Sequence, residues 1–190
     1  MYQRLQKYIT ERIETDDQTL QAIFQKFKPL SVKRNQHLLK EGEVCKHYYF
    51  VNSGCIRIYN INNSGQEGTR YFAFEGSFGT ALPSLIEQKP AFEFVQAIEH
   101  SELLAINRAD FYDLVANTPQ FALIYRQILE LAFITAQKRI YGFQGLGAID
   151  KVRWLLNYQP LILSRISNKM VASYLGITPA TLSRLKSKLK

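Results

Sequence analysis

Between Asn168 and Leu185 the chain reads NKMVASYLGITPATLSRL, two short helical patterns that meet at one glycine. Val171, Leu175, Ile177, Leu182 and Leu185 are the apolar positions, and Ala172 is the small residue where two crossing helices come closest. Gly176 stands at the turn, where the backbone most easily takes a positive φ. Thr178 followed by Pro179 has the chemistry of an N-cap and a first-turn proline. With the five apolar side chains buried, Pro179, Ala180, Ser183, Arg184 and Ser187 face outward. A face that is small at its tip can lie deep in the DNA major groove, and an arginine behind it matches guanine O6 and N7. Arg184 is therefore the expected base reader, with Thr178, Pro179, Ala180 and Ser183 beside it. Lys186, Lys188 and Lys190 follow, suited to phosphate contacts, and Ser167 and Asn168 could donate to phosphate from the start of the first helix. A helical hairpin inside an ordinary core shares the five apolar positions; the alanine, the glycine and the Thr-Pro start favour a helix-turn-helix.

The charge distribution agrees. Residues 1 to 118 carry 13 Lys and Arg against 14 Asp and Glu, whereas residues 119 to 190 carry 11 against 2, so the overall +8 belongs to the C-terminal part. That is expected if this part alone meets a polyanion. The basic residues flank a compact helix pair, without the long apolar face of a membrane-surface helix, so no membrane partner is expected.

These 190 residues suffice for a domain of about 120 residues plus a smaller one. The N-terminus, MYQRLQKYITERIETDD, is polar and amphipathic rather than a signal peptide, and no apolar run approaches the roughly 20 residues that span a bilayer. Two cysteines, Cys45 and Cys55, are too few for a disulfide framework, which makes the cytoplasm the expected location. They are also too few for an iron–sulfur cluster, which needs about four ligands. Cys45, His47 and His100 are conceivable haem ligands, yet no haem or zinc motif surrounds them, so no metal or cofactor is expected.

From Val32 to about Ile106 the chain has short aromatic and branched runs, HYYFV, CIRIYNI, TRYFAF, FEFVQAI and ELLAI, punctuated by glycines. Several alternate, and NNSGQEG has hairpin-turn chemistry, which together point to a sandwich, barrel or jelly roll. Helical patterns flank this block at 3 to 14 and 17 to 27 before it, and in RADFYDLVANT after it. From Pro119 to about Phe143, Phe121, Ile124, Ile128, Leu131 and Thr135 recur at spacings of three and four. Such a stripe is ordinary core or a dimer seam. Because the helix links a β-domain to a DNA-binding unit, and palindromic operators demand two-fold symmetry, the seam is expected. GFQGLG at 142 to 147 would end that helix, and AIDKVRWLLNYQ forms the next.

Taken in this order, the elements resemble the Crp/Fnr superfamily of bacterial transcription regulators. The resemblance is most specific in ASYLGITPATLSRLKSKL and extends to KEGE at 40 to 43, VNSGCIRIY at 51 to 59 and FEGSFG at 74 to 79. It implies an α+β fold: an antiparallel β-roll of the jelly-roll-like, cyclic nucleotide-binding type with flanking helices over 1 to 118, a dimerisation helix over 119 to 143, and a helix-turn-helix domain over 144 to 190. It also implies a homodimer that binds double-stranded palindromic DNA, RNA polymerase as a partner, and an effector pocket near Phe78, Gly79, Thr80, Ala81 and Phe92.

The phosphate cassette departs from the family pattern. Thr80 stands where nucleotide-binding members carry a glutamate for the ribose, and no arginine occurs between Arg70 and Arg108. A phosphate buried without a guanidinium is left uncompensated, so cyclic AMP and cyclic GMP are not the expected ligands. Ala180 likewise stands where members of known specificity often have a glutamate, and the chain stops at Lys190, where most members continue into a two-stranded wing. Two other classes stay open: a scaffold whose basic end docks on a protein, and a cupin-like metal enzyme. Against the second, His37, His47 and His100 form no His-x-His pair, and there is neither a phosphate loop nor a nucleophile elbow, so an enzyme is not expected.

Overall fold

A computed structural model describes residues 1–188. Two helices open the chain, α1 (Gln3–Thr10) and α2 (Asp17–Lys26), the second capped by Asp16, whose side chain accepts from the Thr19 N–H. Eight strands follow: β1 (Lys28–Val32), β2 (His37–Leu39), β3 (His47–Ser53), β4 (Ile56–Ile61), β5 (Glu67–Ala73), β6 (Phe78–Gly79), β7 (Phe94–Ala97) and β8 (Ser101–Asn107), with α3 (Leu82–Glu87) between β6 and β7. They form two antiparallel sheets, ordered β1-β8-β3-β6 and β2-β7-β4-β5, so successive strands cross between layers as in a jelly roll. Four helical pieces complete the polar end of the chain after α4 (Arg108–Asn117) and the 27-residue α5 (Pro119–Gly145): α6 (Ala148–Tyr158), α7 (Ile162–Arg165), α8 (Asn168–Leu175) and α9 (Pro179–Lys188).

The strand patterns translate directly into layers. In the β4–β5 hairpin, Asn62 Oδ1 accepts from the N–H groups of Ser64 and Gln66 at 3.0 and 2.9 Å, and Gly65 takes φ +76°, as the NNSGQEG composition requires. Gly54 also needs its missing side chain: at φ +91°, a Cβ would lie 2.3 Å from Ser101 Oγ. The inner faces of the roll bury Phe50, Ile58, Val95 and Leu103 against Leu5 and Ile9 of α1 and Phe111 of α4.

A second apolar cluster joins the two ends of the chain. Cys55, Phe72 and Ile98, on the outside of the roll, pack with Val152, Leu155, Val171, Leu175 and Leu182. The C-terminal helices are thus docked on the roll, with α8 lying along β5 and α9 resting on α6 and α8. Polar contacts reinforce the seat. Arg57, 1% exposed, donates to Thr69 Oγ1 (2.8 Å), Glu67 (2.7 Å) and Ser173 of α8 (3.1 Å). Arg165 pairs with Glu75 at 2.8 Å and also reaches Glu99. This docking was not foreseen from sequence.

Three expectations are corrected here. Phe121 and Ile124, placed on a partner-facing seam, are fully enclosed in their own chain's core. Both lie on the first turns of α5, directly over the roll, where burial against it is the nearest way to remove apolar surface from water. Ile128, Leu131 and Thr135 lie further along the same face and border a cavity against the roll, but Leu131 is also 52% exposed, so its place on a seam is not overturned. The exposed apolar side chains of α5 also include Leu123, Ile134 and Tyr141, with exposures of 42, 47 and 72%. Their spacings of 11 and 7 residues put them on one helical face. The long helix also continues to Gly145, two residues beyond the expected boundary at 143.

Candidate nucleic-acid interface and effector cavity

The helix-turn-helix is built as its sequence suggests. Ser167 caps α8, its Oγ accepting from the Met170 N–H at 3.3 Å, and Gly176 ends the helix at φ +65°. Ile177 N–H then returns to the Ala172 carbonyl at 3.1 Å, closing the tight turn. Thr178 Oγ1 accepts from the Thr181 N–H at 3.1 Å, so Thr-Pro does start the second helix. Leu182 is fully buried, while Thr178, Pro179, Ala180, Ser183, Arg184 and Ser187 are exposed together. Neither α9 nor this face is covered by the roll, because α8 supplies the contact.

The two expected phosphate lysines differ in setting. Lys188 is exposed, whereas Lys186 is half-buried, its Nζ donating to Asn168 Oδ1 at 3.1 Å. Lys186 and Asn168 therefore tie α9 to α8, and each has a structural partner before any phosphate arrives. Lys190 lies outside the described residues.

The cavity of about 340 Å³ lies between the roll, α1, α5 and the C-terminal helices. Phe78, Gly79 and Thr80 line it as expected. Ala81 and Phe92 do not. Ala81 is buried at the start of α3, and Phe92 is 58% exposed beyond the roll's surface. Phe92 sits in a short stretch ahead of β7, and its neighbour Glu93 turns inward instead, 3% exposed. Thr80 spends its hydroxyl on the His47 carbonyl at 2.8 Å.

Sequence reasoning looked for a cation only in the segment after Gly79, and the structure supplies cations from elsewhere. Arg12 after α1, Arg70 of β5 and Arg139 of α5 all reach the cavity wall. Arg70 is neutralised by Glu93, with Nε to Oε1 at 2.5 Å and a second contact at 3.0 Å. Arg12 stacks on Tyr8, its guanidinium carbon 3.8 Å from the ring centroid. Arg139 lies over Tyr174 at 4.2 Å and donates to the carbonyls of Arg70, Thr69 and Tyr174. Residues 58 to 127 positions apart in sequence meet here, and no spacing rule announces them.

Residues 29–118 match the protein-family model of the cyclic nucleotide-binding domain. Over 182 residues the chain is 24% identical to the anaerobic regulatory protein of Pasteurella multocida, covering 90% of this chain and 65% of that protein. It is 28% identical over 131 residues to the cyclic AMP receptor protein of Thermus thermophilus, covering 60% of each. The chain thus spans less than two thirds of the length of either of these relatives. Among solved structures, FixK2 from Bradyrhizobium japonicum superposes with a TM-score of 0.76 at 19% identity, covering 86% of this chain and 84% of that one. Roll, long helix and terminal helices are therefore those of a cyclic nucleotide-binding-type domain joined to a helix-turn-helix. By fold and sequence likeness together, the chain is similar to regulators of the Crp/Fnr type, and its residues 29–118 carry the cyclic nucleotide-binding-type domain.

Proposed function

We propose that this protein is a sequence-specific transcriptional regulator that binds palindromic double-stranded DNA as a homodimer. The observation that carries the reading is the exposed outer face of α9. Pro179, Ala180 and Ser183 leave a narrow tip, Arg184 projects behind it, and buried Leu182 fixes the helix beneath. That geometry fits a recognition helix in the major groove, with Arg184 donating two bonds to one guanine. Ser167 and Asn168, at the positive end of α8, and Lys188 fit phosphate contacts that set the register. The strip Leu123, Ile134 and Tyr141 on α5 supplies the dimer seam. RNA polymerase is the expected downstream partner and the cytoplasm the expected compartment.

The roll senses rather than catalyses on this reading. His37, His47 and His100 stand on different segments, and His37 Nε2 is shared with the Tyr59 hydroxyl at 3.1 Å. Cyclic AMP is not the effector, since Thr80 replaces the ribose-binding glutamate and its hydroxyl is already used. Titrating the protein into duplex DNA at several salt concentrations tests the function. A linear fall of log affinity with log salt, together with preference for an inverted repeat, is expected of the regulator. Salt-sensitive binding to a protein partner with no affinity for duplex DNA would point instead to a scaffold.

A further inference from the structure

Three guanidiniums reach the wall of the cavity between roll and α5, and one of them is met by a carboxylate from outside that wall. Glu93 satisfies Arg70 with both of its oxygens. Among the described residues, neither Arg12 nor Arg139 has an acidic side chain in ion-pair range. Their hydrogen bonds go to carbonyl oxygens: Arg12 to Tyr8 at 2.9 Å, Arg139 to Arg70, Thr69 and Tyr174. Arg139 Nε is buried and has no hydrogen-bond partner at all. A buried donor left unmade is costly, and two cations at one cavity without counter-charge are costlier still. Burial, and in smaller part the repulsion of Arg70, holds Arg139 below the usual arginine range.

We propose that this cavity is a binding site for a small organic anion, a carboxylate or phosphate on a compact apolar body, with Arg139 and Arg12 as its counter-charges. The anion would supply the counter-charge that neither arginine has, accepting from the guanidinium N–H groups that the carbonyls leave free. The rest of the wall sets the body of the ligand. Tyr71, Phe78, Ile128, Leu131 and Ala132 offer aromatic and aliphatic surface, and about 340 Å³ suits one ring or a short branched chain. A sugar is disfavoured: the wall includes no Asp or Glu to accept from ribose hydroxyls. Tyr158 of α6 and Tyr174 of α8 also border the cavity, so the occupant would touch the roll, the long helix and the docked C-terminal helices together. The site stands on this cavity alone and does not depend on α9 reading DNA.

Calorimetric titration of the full chain, without DNA, with benzoate, phenyl phosphate, benzamide and cyclic AMP tests the proposal. One site per chain is expected for benzoate or phenyl phosphate, with benzamide bound at least about tenfold more weakly and cyclic AMP weaker than the better anion. Arg139→Gln should lower the anion's affinity about tenfold or more, and Arg12→Gln should lower it by a smaller factor. Because Arg139 also holds three carbonyls, Arg139→Lys, which keeps charge but not the fork, provides a second reading; it should retain part of the affinity. No saturable binding of either anion at concentrations on the order of 10 mM would overturn the proposal. So would equal affinity for benzamide, preference for cyclic AMP, or unchanged affinity in a folded Arg139→Gln chain.

Discussion

The proposed recognition helix and the proposed anion cavity both depend on arginines, yet they are assembled in opposite ways. On α9, every residue of the outward face falls within ten positions, and a single buried Leu182 fixes which side is out. In the cavity, Arg12, Arg70 and Arg139 come from three distant elements, brought together only when the roll closes and α5 crosses it. A site carried on one helix inherits its geometry from helical periodicity, which a sequence displays. A site between elements inherits it from packing, which a sequence does not display. The contrast extends to chemistry. Arg184 faces solvent with its charge available, whereas Arg139 is held indoors with one donor unmet.

The sharpest test of that contrast lies on α5, whose two faces have been assigned different tasks. Phe121→Ala should destabilise the chain by about 3–5 kcal/mol in denaturant unfolding, because it empties a fully enclosed position. Ile134→Asp should leave the fold intact, shown by circular dichroism, and shift the sedimentation coefficient to that of a monomer. A monomer from Phe121→Ala with normal stability would reverse the assignment.

Acid should loosen the docking of the C-terminal helices on the roll. Burial pushes the Glu67 and Glu75 carboxyls up, but hydrogen bonds from Lys169 and Arg57 to Glu67, and from Arg165 to Glu75, overcome this and hold both below the usual carboxylate range. A carboxyl lowered in the native state stabilises it above the ordinary value, and that stabilisation is lost as pH falls through the lowered one. Pepsin cleavage between α5 and α6 should therefore rise below about pH 4, and the rise should begin at higher pH in Arg165→Gln. Cleavage independent of pH would mean the ion pairs contribute nothing to the seat.

Smaller effects are expected on DNA. Arg184→Ala should cost about 1–3 kcal/mol on the best duplex and relax preference at one base pair, read by fluorescence anisotropy on a set of single-base variants. Loss spread equally over every sequence would make Arg184 a phosphate contact. Lys188→Ala should weaken all duplexes alike and reduce the salt slope by about one, with Lys186→Ala also lowering stability because its Nζ is bonded to Asn168.

Much of the fold was legible because its signals are local. Glycine-punctuated alternation announced the roll, the Asn-rich hairpin announced its turn, and Gly176 with Thr178 and Pro179 announced the helix-turn-helix. The stripe from Phe121 to Thr135 was also real, but periodicity reports an apolar face and not what covers it. For Phe121 and Ile124 the cover proved to be the chain's own roll, whereas Leu131 is 52% exposed. Phe92 misled for a similar reason: aromatic character marks a residue able to fill a pocket, while the backbone of a short irregular stretch decides which neighbour turns inward. Cys55, Phe72 and Ile98, and the buried Arg57 beside them, read as ordinary strand residues, so the docking surface gave no signal of its own.

Enrichment of bound fragments from random duplex DNA, with wild type and Arg184→Ala in parallel, tests the central claim most directly. An inverted repeat with half-site centres about one helical turn apart, changed by the substitution at one symmetric base pair, is the expected result. Fragments that show no repeat and no dependence on Arg184 would contradict it.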